Sequence, residues 1–181
     1  MMIIDLNHLG ETGAAFTFNE PVSHFKPLVD IAADEDVSFE YPLTGNLRAS
    51  RIQNIIRVTG RLNTNVKLSC SRCLESFEQG LEIELELTFA QEMPDSSRAP
   101  LPKDYELDAY QAGLIYFDGD QLDLHEPISE QVIMALPYKP LCRPACLGLC
   151  SQCGSNLNRN KCSCDTSSSN SPFAVLKQLK K

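Results

Sequence analysis

Eight cysteines are spread unevenly along this chain: two stand together as Cys70-Ser71-Arg72-Cys73, and six crowd between Cys142 and Cys164. The start, Met1-Met2-Ile3-Ile4-Asp5, has no basic region and no long apolar stretch. It does not read as a secretory leader, and the cytoplasm is the expected compartment. In a reducing compartment stable disulfides are rare, so clustered thiols point to metal or redox chemistry. Whatever fold the chain adopts must accommodate that chemistry.

The tail reads Cys142-Arg-Pro-Ala-Cys146-Leu-Gly-Leu-Cys150-Ser-Gln-Cys153-Gly154, and continues to Cys162-Ser-Cys164. A Cys-x-x-Cys followed directly by glycine is a zinc-knuckle form, because the glycine permits the tight turn that aims sulfurs and backbone amides at one ion. Four thiolates close a tetrahedron and leave no position for substrate, which makes such a site structural. The simplest local grouping is Cys150, Cys153, Cys162 and Cys164, leaving Cys70, Cys73, Cys142 and Cys146 to tie the end of a sheet to the start of the tail. A zinc ribbon would instead set Cys70 and Cys73 opposite Cys150 and Cys153, with Cys142, Cys146, Cys162 and Cys164 on a second ion. Both partitions satisfy the spacing, and one or two zinc ions are expected. Ferredoxin-type iron–sulfur spacings are absent.

The rest of the chain frames this region. Of 181 residues, 43% are hydrophobic and 22% charged, an ordinary globular balance that excludes wholesale disorder. The longest apolar run, Val132 to Leu136, has five residues, against the roughly 20 that a membrane helix needs. Val37, Phe39, Tyr41 and Leu43 alternate with polar neighbours, as do Ile56 to Leu62, Val66 to Cys70 and, most clearly, Leu81, Ile83, Leu85, Leu87 and Phe89. That period predicts an antiparallel sheet with one dry face. Glu82, Glu84 and Glu86 are expected to pair across strands with Arg57, Arg61 and Lys67 on the wet face. Pro21 and Pro27 interrupt any pattern in the first 35 residues, and 91–103 reads as a proline-rich loop. After the Asp118-Gly119 turn, Leu124, Ile128, Val132, Ala135 and Leu136 share a helical face that Pro137 ends. The expected class is α+β. A mainly antiparallel β domain over 1–140 carries a helix at about 122–136, a cysteine-rich zinc-binding region follows over 141–165, and a serine-rich linker with a short basic helix occupies 166–181.

Charge divides along the same lines. Residues 1–69 carry 6 basic and 8 acidic side chains (net −2), 70–140 carry 4 and 15 (−11), and 141–181 carry 6 and 1 (+5). The acidic whole argues against broad duplex binding, while the acidic middle suits a basic protein and the basic tail suits RNA. The tail's candidate RNA contacts are Arg143, Arg159, Lys161, Lys177, Lys180 and Lys181.

Catalysis finds little support. Cys70 and Cys73 could serve as a thiol-disulfide redox pair, but redox Cys-x-x-Cys motifs open a helix in an α/β layout, and here the next pattern is a strand. The three histidines, His8, His24 and His125, are scattered, and His125 reads as a surface or boundary residue. No phosphate loop, nucleophile elbow or paired-carboxylate motif is present.

Several spaced strings together carry a resemblance: Leu68-Ser-Cys70-Ser-Arg-Cys73-Leu-Glu, Leu136-Pro137, Leu141-Cys142, Gly148-Leu-Cys150-Ser-Gln-Cys153-Gly154-Ser-Asn156-Leu157-Asn158, and Ser171-Pro172-Phe173-Ala-Val-Leu176. In this order, from about residue 37 to the end, the chain resembles the bacterial and plastid YceD family, the large ribosomal RNA subunit accumulation proteins, in their cysteine-complete form. The resemblance implies a non-enzymatic role in accumulation or processing of large-subunit rRNA. It implies large-subunit rRNA or its precursor, and/or a basic large-subunit ribosomal protein, as the partner. It brings no catalytic residues with it.

Overall fold

The computed structural model describes residues 2–10, 13–33, 36–91 and 113–164. The chain divides into two compact units, residues 1–68 with 78–138, and residues 69–77 with 139–181.

The first unit is α+β. Its strands are β1 (Ile3–Asp5), β2 (Ala14–Glu20), β3 (Val37–Ser38), β4 (Leu43–Ile52), β5 (Ile55–Ser69), β6 (Ser76–Gln91), β7 (Leu114–Phe117) and β8 (Gln121–Asp123). Its helices are α1 (Lys26–Ile31) and α2 (His125–Ala135). The main sheet runs β2-β4-β5-β6-β7, with β3 added to β5, while β1 and β8 form a separate antiparallel pair. A two-residue loop joins β4 to β5, with Gln53 in the left-handed region at φ 56.

The alternation read from the sequence becomes the dry face. Ile56, Val58, Leu62, Val66 and Leu68 of β5 and Leu81, Ile83, Leu85, Leu87 and Phe89 of β6 are all buried. Phe25, Leu28, Ile128 and Val132, from α1, α2 and the residue before α1, are wholly buried too. Each such side chain contributes roughly 1.5–3 kcal/mol through removal from water. On the wet face Arg57 pairs with Glu86, and Arg61 with Glu84 at 3.4 Å. One index rises as the other falls, as an antiparallel β5–β6 pair requires.

Four details depart from the sequence reading. Lys67 pairs with Glu40 at 3.2 Å rather than with the β6 glutamates, because β3 docks on β5 with Ser38 opposite Lys67 and brings Glu40 alongside. The strand expected over 37–43 breaks after Ser38 and resumes at Leu43 as β4; Pro42, with no N–H to give, lies in the gap. The sheet is mixed rather than purely antiparallel, since β7 runs parallel to β6, with Thr88 opposite Leu114 and Gln91 opposite Phe117. The proline-punctuated first 35 residues, unassigned from sequence, hold β1, β2 and α1. The expected helix appears as α2, with Pro127 in its first turn and its end at Ala135, two residues before Pro137. The serine-rich linker, the C-terminal helix and most of the 91–103 loop lie outside the described residues.

Candidate metal centres

The second unit contains all eight cysteines, and each is a free thiol. They form two groups, Cys70, Cys73, Cys142 and Cys146 in one and Cys150, Cys153, Cys162 and Cys164 in the other, the ligand atoms of each lying within 4.8 Å of one another. The structure therefore brings together the local partition and not the ribbon, in which Cys70 and Cys73 would face Cys150 and Cys153.

Both Cys-x-x-Cys turns are built alike. In the first, Cys70 N–H donates to Glu75 O at 3.0 Å and Leu74 N–H to Cys70 O at 2.9 Å; in the second, Cys150 N–H donates to Ser155 O at 2.8 Å and Gly154 N–H to Cys150 O at 2.9 Å. The fifth residue of each is left-handed, Leu74 at φ 59 and Gly154 at φ 71. Glycine adopts this conformation freely, whereas leucine is strained in it. The turn aims N–H groups at the leading sulfur, as with Gln152 N–H, 3.4 Å from Cys150 Sγ.

The first group is the more enclosed. Cys70, Cys73 and Cys146 are buried, with Phe77, Leu141, Cys142 and Leu149 packed against them. Gly148, at φ 76, lets the 146–149 segment close on the first turn: Leu149 N–H donates to Arg72 O at 3.1 Å, and a Cβ on Gly148 would stand 3.0 Å from that oxygen. Cys70 and Cys146 Sγ are 3.8 Å apart, and Cys73 and Cys142 Sγ 3.7 Å. Tetrahedral zinc, with bonds of about 2.3 Å, demands edges of about 3.8 Å, whereas a disulfide demands about 2.05 Å. The sulfurs thus already stand at the separations of a four-thiolate cage.

Electrostatics divides each group in two. Burial opposes ionisation of Cys70, but N–H groups of Cys142, Cys73 and Arg72 bring its pKa down to about 6. Burial likewise opposes Cys146, where the Asn158 amide and Gly148 N–H prevail and lower it. The Glu75 N–H favours a Cys73 thiolate, yet burial and the sulfurs of Cys70 and Cys146 leave it raised. Burial and the neighbouring sulfurs push Cys142 up to about 12. In the second group, N–H groups of Cys153 and Gln152 lower Cys150, and the Ser155 hydroxyl and N–H lower Cys153 to about 6. The Cys164 N–H favours a Cys162 thiolate, but Cys150 and burial raise it. Cys153, burial and Cys150 push Cys164 up to about 12. Four adjacent thiolates repel one another, and a divalent cation is the charge that lets all four ionise. Both clusters could hold a metal ion.

The Cys70–Cys73 pair makes a poor redox centre. It lies in a turn between β5 and β6 rather than at a helix start, and Cys70 is 0% exposed, whereas a reactive thiol has to be reached.

The candidate RNA contacts divide as well. Arg143 Nη2 donates to Asn158 Oδ1 at 2.7 Å, and Arg159 pairs with Glu75 at 2.6 Å, while Lys161 is exposed. Lys177, Lys180 and Lys181 fall outside the described residues. One cluster in the first unit has no counterpart in the sequence reading: buried Glu20 Oε2 lies 3.1 Å from His24 Nδ1 and 3.2 Å from His125 Nε2, and His125 Nδ1 lies 2.6 Å from Asp123. Burial raises the Glu20 pKa, but hydrogen bonds, among them those from both histidines, bring it down to about 2. With the His125 ring tilted 56° against Phe25 at a centroid distance of 5.3 Å, the arrangement clamps the end of β2 to the start of α2. A separation of 105 positions between Glu20 and His125 hid it from any local pattern.

Among the described residues no helix is long and apolar enough to cross a membrane. No solved structure matches the chain. An uncharacterized protein of Mycobacterium tuberculosis is 30% identical over 157 residues, covering 84% of this chain and 69% of that protein. The Arabidopsis thaliana protein named "Large ribosomal RNA subunit accumulation protein YCED homolog 1, chloroplastic" is 24% identical over 156 residues, 77% of this chain and 49% of its own length. Its Zea mays namesake is 25% identical over 143 residues, 68% of this chain and 48% of its own length. The chain spans about half the length of these two plant relatives. The family model described as "Large ribosomal RNA subunit accumulation protein YceD" matches residues 58–180, a span that takes in both cysteine clusters, and on that match the chain belongs to the YceD family.

Proposed function

We propose that this chain is a non-enzymatic factor for the accumulation or processing of large-subunit rRNA, acting in the cytoplasm, with two structural zinc ions shaping its second unit. Membership of a family named for large-subunit rRNA accumulation carries the reading. The cysteine geometry supports the metal: two edges of the first set, at 3.7 and 3.8 Å, suit zinc, the sulfurs of the second lie within 4.8 Å of one another, and a closed four-thiolate set has no open position for catalysis. The ligands would be Cys70, Cys73, Cys142 and Cys146 for one ion and Cys150, Cys153, Cys162 and Cys164 for the other.

Charge suggests the partners. The +5 tail, with Lys161 exposed in its described part, would meet rRNA or its precursor, and the −11 middle segment would hold a basic large-subunit ribosomal protein. Depletion of the protein followed by subunit and rRNA profiling tests the function. Loss of large subunits, rescued by the wild-type chain but not by one with Cys70 and Cys73 changed to serine, is the expected outcome. A normal ribosome profile together with measurable disulfide exchange would replace the reading with a thiol oxidoreductase.

A further inference from the structure

The loop strung between the ligands of one cluster reaches into the other. Asn158 lies between Cys153 and Cys162, yet its Nδ2 sits 3.3 Å from Cys146 Sγ. The same Nδ2 donates to Asn156 Oδ1 at 2.9 Å, while Asn158 Oδ1 accepts from Leu147 N–H at 2.8 Å and Arg143 Nη2 at 2.7 Å. Both donors and both lone pairs of the amide are thus engaged, which fixes its orientation: flipped, its oxygen would face the sulfur and its NH2 would face the Leu147 N–H. The loop is held by bonds of its own. Leu157 N–H donates to Gly148 O at 2.9 Å, Asn158 N–H to Asn156 Oδ1 at 2.9 Å, and Leu149 bridges Asn156.

We propose that Asn158 couples the two clusters, so that the two ions bind cooperatively and leave together. The inference rests on the reading of both clusters as metal sites. Residues 154–161 span the gap between Cys153 and Cys162, so an ion on the second cluster pins both ends of the loop that presents Asn158. Asn158 then donates to a thiolate of the first cluster, and hydrogen bonds of this kind stabilise the charged ligand and set metal affinity by about 10–100-fold. Linkage makes the effect reciprocal: an ion on the first cluster favours the second by the same factor.

Native mass spectrometry of the whole 181-residue chain, metal-free, with one equivalent of zinc tests this directly. The expected spectrum is dominated by zero- and two-zinc species, with the one-zinc form well below the roughly half that two equal, independent sites give. A one-zinc form at half or more, in a chain that still takes two ions at saturation, overturns the coupling and leaves the metal sites standing. A chain that takes up no zinc at saturation overturns the metal reading and the coupling with it. Asn158→Ala is expected to raise the one-zinc form and weaken the first cluster about 10–100-fold in chelator competition. Asn158→Asp separates coupling from mere scaffolding, since it still accepts from Leu147 and Arg143 but cannot donate to Cys146. It should behave like the alanine variant, and wild-type loading by Asn158→Asp would overturn the role assigned to this hydrogen bond.

Discussion

The two units reach order by different physical routes. The first buries Phe25, Leu28, Leu43, Leu62, Phe89, Leu122, Leu124 and Ile128 almost completely, a set large enough for hydrophobic burial to drive folding. Among the described residues of the second, the buried apolar side chains are those of Cys70, Cys73, Cys146 and Cys150. One unit is a core with a surface; the other gathers its cysteines into two sets that could each hold an ion. The difference teaches that a stretch poor in large apolar residues can still take a defined backbone where hydrogen-bonded turns gather its sulfurs.

Metal removal should break this comparison most sharply. Structural zinc contributes on the order of 10–16 kcal/mol in small domains at neutral pH. A chelator is therefore expected to melt the second unit while the first stays folded. Hydrogen exchange would show it as protection lost over 70–75 and 141–158 but kept along β4, β5 and β6. Simultaneous loss of protection in both would mean the units do not differ in what holds them.

The converse perturbation strikes the first unit. Leu62 is 0% exposed in β5, and Leu62→Ala should cost about 2–5 kcal/mol in denaturant unfolding through lost burial and the cavity left behind. Zinc content per folded chain should stay at the wild-type value. Zinc lost in proportion to stability would show that the metal sites borrow their order from the sheet.

These differences bear on what the sequence could disclose. β6 was legible because every second residue from Leu81 to Phe89 is large and apolar. β4 was not, because Gly45 and Ala49 alternate with Leu43 and Leu47 at its buried positions and give no hydrophobic signal. Gly60 on β5 has a steric reason: a Cβ there would lie 2.1 Å from Asn46 O on the neighbouring strand. In the second unit the metal-ligating pattern was plain, but the partition was not. Cys-x-x-Cys spacing constrains each turn and says nothing of which turn meets which, a choice reflected in contacts such as Leu149 N–H to Arg72 O. Arg143 and Arg159 read as phosphate contacts by charge alone, and the fold gives each a partner, Asn158 and Glu75.

Acid sharpens the comparison within the first unit. The Glu20 pKa lies at about 2 in the folded chain against an ordinary 4.5. A depressed carboxylate contributes stability that is fully present above the ordinary value and is lost as pH falls from about 4.5 toward about 2. At pH 3 the loss should approach 2 kcal/mol. Metal-free protein isolates the effect from zinc release. Its urea midpoint is expected to fall between pH 6 and pH 3, and to fall less in Glu20→Gln; parallel curves for the two proteins would remove Glu20 from the account.

The smallest expected effect compares the two cysteine turns with each other. Their hydrogen bonds match, and both place the fifth residue in the left-handed region, but one uses Leu74 and the other Gly154. A non-glycine residue there is strained by roughly 1–2 kcal/mol, and glycine returns about 0.5–1 kcal/mol of that through the greater freedom of the unfolded chain. Leu74 is 67% exposed, so its side chain gains little from burial, and nothing lies within 4 Å of a Cβ built on Gly154. Backbone conformation therefore dominates both positions. Leu74→Gly should stabilise the metal-loaded second unit by about 0.5–1 kcal/mol, and Gly154→Leu should destabilise it by a similar amount. Because folding of such a unit is linked to its metal, chelator competition reads these as zinc affinities that rise and fall by roughly 2- to 5-fold. Equal or weaker affinity in Leu74→Gly would mean that the exposed leucine makes a stabilising contact in the loaded chain large enough to offset its strained backbone.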